Sequence, residues 1–572
     1  MNDFFTLKKN LKISTVGFNK HKLALLGDNA TQFFKIALKG KAAELKLDLE
    51  VWESDFNQID IQILNPISEL YSFKPQSVLL CFSVQHLQSL FYATPDHNRI
   101  NFASNQIRRI IELVKMLSSN GISNIMVTNY AETDDGIWCE YSNKLPNAFL
   151  FQTRKLNGLL ADYASQNETL NLINVLSIQS ILGDNHFFHN ALYINSDVSF
   201  SLNATAYIAS KVLNIISCQL GKFKKCIILD LDNTLWGGVI GDDGIEHIQI
   251  GNLGIGKAFY NFQCWLKELK KRGIILAVCS KNNMDQAQLP FLEHPDMVLK
   301  LEDIAVFVAN WENKAINIQH IQTVLNIGYD SMVFVDDNPF EREMVKQNIS
   351  GISVPDLPED PALYISTLKS YSYFETLTFS SEDIARTKLY QTEAKRVSYQ
   401  KSFVNENDFL IELQMTGKID SINSFNVPRV AQLSQRSNQF NLRTVRYTEN
   451  DLTEISKHNT FKTFAFNLSD KFGNHGLIAV VILKEINVNT YFIDTWFMSC
   501  RVLKRTTEQW ILNSLVDCCK QNAIHKLHAE YIPSPKNSIV KDLYLNLGFT
   551  PVNGIWELNI HHTTPLVTYI NI

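Results

Sequence analysis

The chain has 572 residues, several times the size of a single-core domain, so two to four domains are expected. It is 45% hydrophobic and 19% charged with a net charge of −5, an ordinary globular composition, and no basic tract suggests a nucleic-acid partner. The nine cysteines form no CxxC pair or regular framework, which argues for a reducing compartment and against structural zinc. The stretch from Met1 to Ser14 lacks the apolar core of a signal peptide, and no apolar run approaches the roughly 20 residues that cross a bilayer. The expectation is a cytoplasmic protein with no membrane segment.

The first segment, 1–220, opens with an apolar strand from Lys22 to Leu26 that runs into Gly27-Asp28-Asn29. Apolar runs over 77–82 and 124–129, separated by stretches of helical length, predict an α/β unit with parallel strands. The second segment, 221–375, has strands over 226–229, 274–279 and 332–335, each ending in polar residues where a doubly wound sheet places its ligand site. Helices are expected over 257–271 and 313–325. The third segment, 376–572, begins with a charged helical run over 381–396 and continues as a mixed α+β region.

The most informative stretch is Cys226-Ile227-Ile228-Leu229-Asp230-Leu231-Asp232-Asn233-Thr234. Side chains alternate along a strand, so Asp230 and Asp232 point the same way and can address one reacting atom. Ser280 follows the second strand, Lys314 opens a helix, and Asp336-Asp337 follow the third strand. One carboxylate pair alone is as well explained by a solvated strand end; the ordered set is not. A phosphoryl group repels an anionic attacker, so a carboxylate nucleophile needs cations and donors around the equatorial oxygens. Asp230, Asp336 and the backbone carbonyl of Asp232 would offer hard oxygen ligands to Mg²⁺. Ser280 and Lys314 would hold the phosphate, with Thr234, Lys281 and Asn282 beside them. Asp230 would attack phosphorus and Asp232 would carry the proton. Few residues separate Asp232 from Ser280, and one helix and one strand use most of them, so no lid domain is expected there.

This order, DxD, Ser, Lys and an acid pair, resembles the haloacid dehalogenase superfamily. The runs Leu229 to Gly244, Val278-Cys279-Ser280-Lys281-Asn282 and Val335 to Arg342 are similar to its FkbH-like branch. Arg429 to Asn441, Asp470 to Leu477, Met498 to Leu503 and Glu530-Tyr531-Ile532-Pro533 match the same branch, so the resemblance covers nearly the whole chain. It implies three α/β or α+β domains: an SGNH-hydrolase-like, flavodoxin-type domain over 1–220, a capless phosphatase domain with a Rossmann-like parallel sheet over 221–375, and a GNAT-like acyltransferase domain over 376–572. The implied activity is removal of phosphate from a small phosphorylated acyl substrate such as 1,3-bisphosphoglycerate. The glyceryl group then passes through a cysteine thioester to the phosphopantetheine thiol of an acyl carrier protein. Cys279 and Cys500 both match motif positions for that thioester. A plain phosphomonoesterase of a surface-glycan or secondary-metabolite pathway, and a non-catalytic scaffold, are the competing readings.

Two departures from the pattern carry expectations of their own. An SGNH hydrolase needs a serine after Gly-Asp, but Asn29 follows Gly27-Asp28, so hydrolysis there is not expected, even with Asp184, His186 and His189 close together in sequence. The GNAT-like loop Arg501-Val502-Leu503-Lys504-Arg505-Thr506 lacks both glycines of a pyrophosphate-binding loop. Lys504 and Arg505 would then either meet a phosphopantetheine phosphate or face solvent. Gln432, Arg436, Asn438, Gln439 and Asn441 form a polar run that could line a carrier-arm pocket or link elements.

Overall fold

The structure is a computed structural model that describes residues 3–572 apart from 378, 380, 401, 438 and 535. It divides into two compact units, Met1–Cys218 and Gln219–Ile572.

The first unit is built on five parallel strands, β1 Asn19–Gly27, β2 Leu47–Glu53, β3 Ser77–Cys81, β4 Ile125–Thr128 and β5 Leu170–Ile173. Their order β2-β1-β3-β4-β5 is the flavodoxin type, with helices in each crossover. Every residue of β3 and β4 is buried, as expected of strands covered on both faces.

The second unit contains two sheets. The first has β6 Cys226–Leu229, β7 Ile275–Ser280, β8 Ile304–Ala309 and β9 Met332–Val335, all parallel in the order β8-β7-β6-β9. β8 is not among the strands read from sequence; it is an apolar run that ends at Asn310-Trp311 and not at a carboxylate. Alternation sorts the sheet's side chains. Ile227, Leu229, Leu276, Val278, Val333 and Val335 pack with Phe259, Phe262 and Leu266 of the helix Gly256–Lys271. On the opposite face, Ile228, Ala277, Cys279 and Phe334 pack with Ile318 and Ile321 of the helix Lys314–Leu325. Between Asp232 and Ser280 stand only the short helix Ile240–Asp243, the helix Gly256–Lys271 and β7, so no inserted domain covers the strand ends.

The second sheet has eight strands: β10 Met415–Asp420, β11 Phe461–Asp470, β12 Gly473–Asn487, β13 Thr490–Met498, β14 Lys526–Ala529, β15 Thr550–Val552, β16 Ile555–Asn559 and β17 Ile570–Asn571. They run β15-β16-β14-β13-β12-β11-β10-β17. β13 and β14 are parallel and paired only over Thr490–Phe492 and Lys526–His528, so they part beyond that point. The helix Thr507–Gln521 covers one face, burying Trp510, Ile511 and Leu515.

The helix Ser381–Gln400 ties the two sheets together. Tyr390, Ala394 and Val397 pack into the β6–β9 core, and Gln391 Nε2 donates to the Ile304 carbonyl at 2.9 Å. Farther along, Glu393 and Arg396 enter a buried ionic cluster with Asp470, His475 and Arg505 of the eight-stranded region. Among the described residues no helix is long and apolar enough to cross a membrane.

Candidate active site

The carboxylates sit just past the C-terminal ends of β6 and β9. The Asp230 N–H donates to the Val335 carbonyl at 3.0 Å, extending the ladder by one residue and placing Asp230 beside Asp336. Both are buried, at 6% and 0% exposure. Lys314, the first residue of its helix, is 3% exposed. Asn313 caps that helix by accepting from the Ala315 N–H at 2.7 Å, which aims the first turn at the acids. Lys314 Nζ lies 2.8 Å from Asp230 Oδ2 and 2.7 Å from Asp336 Oδ2.

The electrostatics follow from burial. Desolvation alone would favour neutral Lys314, but Asp230 and Asp336 outweigh it and its pKa rises. Burial first, and the Asp230 charge second, push Asp336 up to about 7. Asp337 is raised by the same two causes in the same order. One lysine therefore faces three crowded carboxylates.

This crowding fits a divalent cation. One oxygen each of Asp230, Asp336 and Asp337 fall within 4.8 Å of one another. Asp230 Oδ1 is buried with no hydrogen-bond partner, an orphaned acceptor that a hard cation would satisfy. Asp337 was read from sequence only as half of the acid pair; the geometry adds it to Asp230 and Asp336 as a possible ligand.

The Asp232 carboxylate is held by three donors. Oδ1 accepts from Trp236 Nε1 and the Ile240 N–H, each at 3.0 Å, and Oδ2 accepts from Asn282 Nδ2 at 2.8 Å. The turn that brings these donors round uses Asn233 at φ 52°, a left-handed conformation that Asn tolerates, with its Oδ1 accepting from the Gly238 N–H at 2.9 Å. Gly238 has φ +92°, and a Cβ there would come within 2.6 Å of Asp243 Oδ2. Ser280 is buried beside Asn282, 3.4 Å from its Nδ2.

Several residues stand differently from the sequence reading. Thr234, expected at the substrate, is fully buried; its Oγ1 accepts from the Asp337 N–H at 3.2 Å, so it positions the acid pair. Lys281, also expected at the substrate, pairs with Glu341 at 2.6 Å. Arg342 was given no role, yet its guanidinium donates to the Asp336 and Asp337 carbonyls at 2.9 and 2.6 Å and braces their loop.

Cys279 was expected as a nucleophile. Alternation turns it to the face away from Ser280, where it is 0% exposed and its Sγ lies 3.7 Å from the Lys314 carbonyl. Burial raises its pKa far above the ordinary thiol range. In this conformation it presents no thiolate to the carboxylate site. Cys500 is half-buried, in the loop after β13.

In the first unit, Asn29 Nδ2 donates to Asp28 Oδ1 at 3.1 Å and to the Cys81 carbonyl at 3.2 Å, filling the position where a hydrolase would hold its serine. In the loop after β13, Lys504 and Thr506 take φ 62° and 58°, left-handed conformations that glycine adopts more readily. Lys504 is exposed, while Arg505 is buried against Glu393. In the polar run, Gln432 and Asn441 are buried; Asn438 and the side chain of Arg436 lie outside the described residues.

A family model described as FkbH, N-terminal domain, matches residues 22–217. Among solved structures, the N-terminal part of the protein BF1531 from Bacteroides fragilis, containing a phosphatase domain complexed with Mg, is 46% identical. That match covers 66% of this chain and 100% of that one, with a TM-score of 0.63. The ribosomal-protein-S18-alanine N-acetyltransferase from Escherichia coli matches at 16% identity over 27% of this chain and 99% of its own, with a TM-score of 0.21. The spermidine N-acetyltransferase from Vibrio cholerae, in complex with CoA and spermine, matches at 16% identity over 26% and 96%, also with a TM-score of 0.21. No curated protein matches the chain.

Proposed function

The chain belongs to the FkbH-like family, and from that premise we propose that it is a Mg²⁺-dependent phosphatase and acyltransferase. It would take a glyceryl phosphate donor of the 1,3-bisphosphoglycerate kind and load the glyceryl group on the phosphopantetheine thiol of an acyl carrier protein. The observation that carries the phosphatase half is Lys314 set between Asp230 and Asp336, with Asp230 Oδ1 left without a partner. Asp230, Asp336 and Asp337 would hold the metal, which when bound neutralises the equatorial oxygens of the phosphoryl group. Asp230 attacks phosphorus of the phosphomonoester, the substrate alkoxide leaves with a proton from Asp232, and water then cleaves the aspartyl-phosphate with Asp232 as base. Asn282, Trp236 and the Ile240 N–H hold Asp232 in place for both steps. Lys314 and Ser280 steady the phosphate. The acyl half is a separate substitution: a thiol attacks the acyl carbon and the C1 phosphate departs, so the donor loses one phosphate at each end.

The sealed thiol of Cys279 favours a second reading, a plain phosphomonoesterase whose other regions serve only specificity. Incubating the protein with 1,3-bisphosphoglycerate and Mg²⁺, with and without a carrier protein, separates the two. Intact-mass analysis should show a glyceryl or phosphoglyceryl adduct on the enzyme or carrier; phosphate release with no adduct on either leaves the phosphomonoesterase.

A further inference from the structure

The carboxyl end of the β6–β9 sheet inverts the usual order of burial: Asp230, Asp336 and Lys314 are buried, while two aromatic rings stand in solvent. These are Trp311, two residues past β8, and Phe340, five residues past β9; each is 70% exposed, more than any other Phe, Tyr or Trp from 221 to 375. Single exposed rings are common on protein surfaces and need no explanation there. Trp311 differs in that its polar atom is held.

Its indole Nε1 donates to Asn283 Oδ1 at 2.9 Å. Asn283 directly follows Asn282, which donates to Asp232 Oδ2 at 2.8 Å, so the bond ties the ring to the segment that orients Asp232. Just before the ring, the Asn310 N–H donates to the Ser280 carbonyl at 3.2 Å. Three residues after it stands Lys314, whose Cα can be no more than about 11 Å away along the chain. Asn313 Nδ2 lies 3.0 Å from Met344 Sδ, one turn along the helix Pro339–Asn348 from Phe340, so the second ring's helix meets the same loop. Trp311 therefore stands at the mouth of the phosphoryl site with its orientation fixed and most of its surface wet, and no domain inserted between Asp232 and Ser280 closes that mouth. The buried groups of the site are polar and address the phosphoryl group. An indole face instead offers apolar surface to the carbon part of a substrate, and a ring already held in place loses little freedom when it is covered.

We propose that Trp311 is a specificity-determining residue of this site: its ring is the platform on which the organic part of a phosphoryl substrate lies, so that compounds with a flat or C–H-rich apolar face are favoured over compact ones. The inference rests on the phosphatase half of the proposed function and not on the acyl-transfer half. Phosphate release from 2-naphthyl phosphate and from acetyl phosphate, measured with Mg²⁺, gives a ratio of kcat/KM values. Trp311→Ala should lower that ratio at least tenfold, with the loss for the naphthyl ester in KM rather than kcat. Trp311→Phe, which keeps a ring, should recover most of it. A purely structural role, acting through Asn283 and Asn282 on Asp232, would instead lower kcat for both compounds alike. Calorimetric titration with 2-naphthylphosphonate, which cannot be hydrolysed, reads the same contact without turnover: it should bind at one equivalent in Mg²⁺, and at least tenfold more weakly in Trp311→Ala. If the parent hydrolyses neither compound and the phosphonate result holds, the phosphatase reading falls while the ring's contact stands. The proposal is overturned if the phosphonate fails to bind, if Trp311→Ala binds it as the parent does or keeps the parent's ratio, or if Trp311→Phe is no better than Trp311→Ala.

Discussion

Lys314 is the residue on which the site turns, because it is inserted between two buried acids, Asp230 and Asp336. Removing one member of a buried ionic set leaves the others uncompensated, at a cost of about 3–5 kcal/mol. Lys314→Met should therefore lower stability by about that much in EDTA, and added Mg²⁺ should recover much of it. Thermal melts with and without metal check this; a variant as stable as the parent in EDTA would contradict it. Asp232 calls for a different expectation, since its donors fix an orientation. Asn282→Ala removes one of those donors and should reduce kcat by roughly 10-fold or more with little change in KM. Steady-state kinetics on a phosphomonoester would show the split. A change confined to KM would make Asn282 a substrate contact.

At the scale of elements, two buried polar groups tie strands to their surroundings. His21, on β1, is almost fully buried and 2.9 Å from Ser77 Oγ on β3, and burial lowers its pKa to about 4. Between pH 6.5 and 4 the unfolded chain binds a proton there that the folded chain does not, so stability falls as pH falls through that window, by up to roughly 3 kcal/mol. Hydrogen exchange of the β1 and β3 peptides should accelerate from pH 6.5 to 4.5, after correction for the intrinsic rate, and His21→Gln should flatten that dependence. The second group is Asp470, which meets Arg396 Nε at 2.6 Å and His475 Nε2 at 3.0 Å. Burial opposes its charge, but His475 and Arg396 prevail and hold its pKa well below the carboxylate range. Asp470→Asn should destabilise the second unit by about 3–5 kcal/mol, read from denaturant unfolding, because Arg396 and Arg505 then lose their shared acid. A loss under 1 kcal/mol would mean that Glu393 alone suffices.

For the molecule as a whole, much was legible from strand periodicity and spacing. β6 and β9 have the predicted ends, and Asp230, Ser280, Lys314 and Asp336 meet at one end of one sheet, because strand ends in a parallel sheet converge whatever loops intervene. Other features depend on packing that one sequence does not display. Strand alternation turns Cys279 and Ser280 to opposite faces, but only the filled core on the far face shows the thiol sealed. Arg505 reads in sequence as either a phosphate contact or surface charge in a loop, and its partner Glu393 is 112 residues away on the helix Ser381–Gln400. β8 ends in no reactive residue, so no local chemistry marks it in the sequence.

The central claim is that Asp230 attacks phosphorus with Mg²⁺ present. Rapid quench of the protein with a phosphomonoester substrate and Mg²⁺, followed by peptide mass mapping, tests it directly. The account predicts a hydroxylamine-labile phosphoryl group on the peptide carrying Asp230, absent in EDTA and in Asp230→Asn, whose phosphate release should fall at least about 10³-fold. Phosphate release undiminished in Asp230→Asn, or a phosphoryl group trapped on another residue, would contradict it.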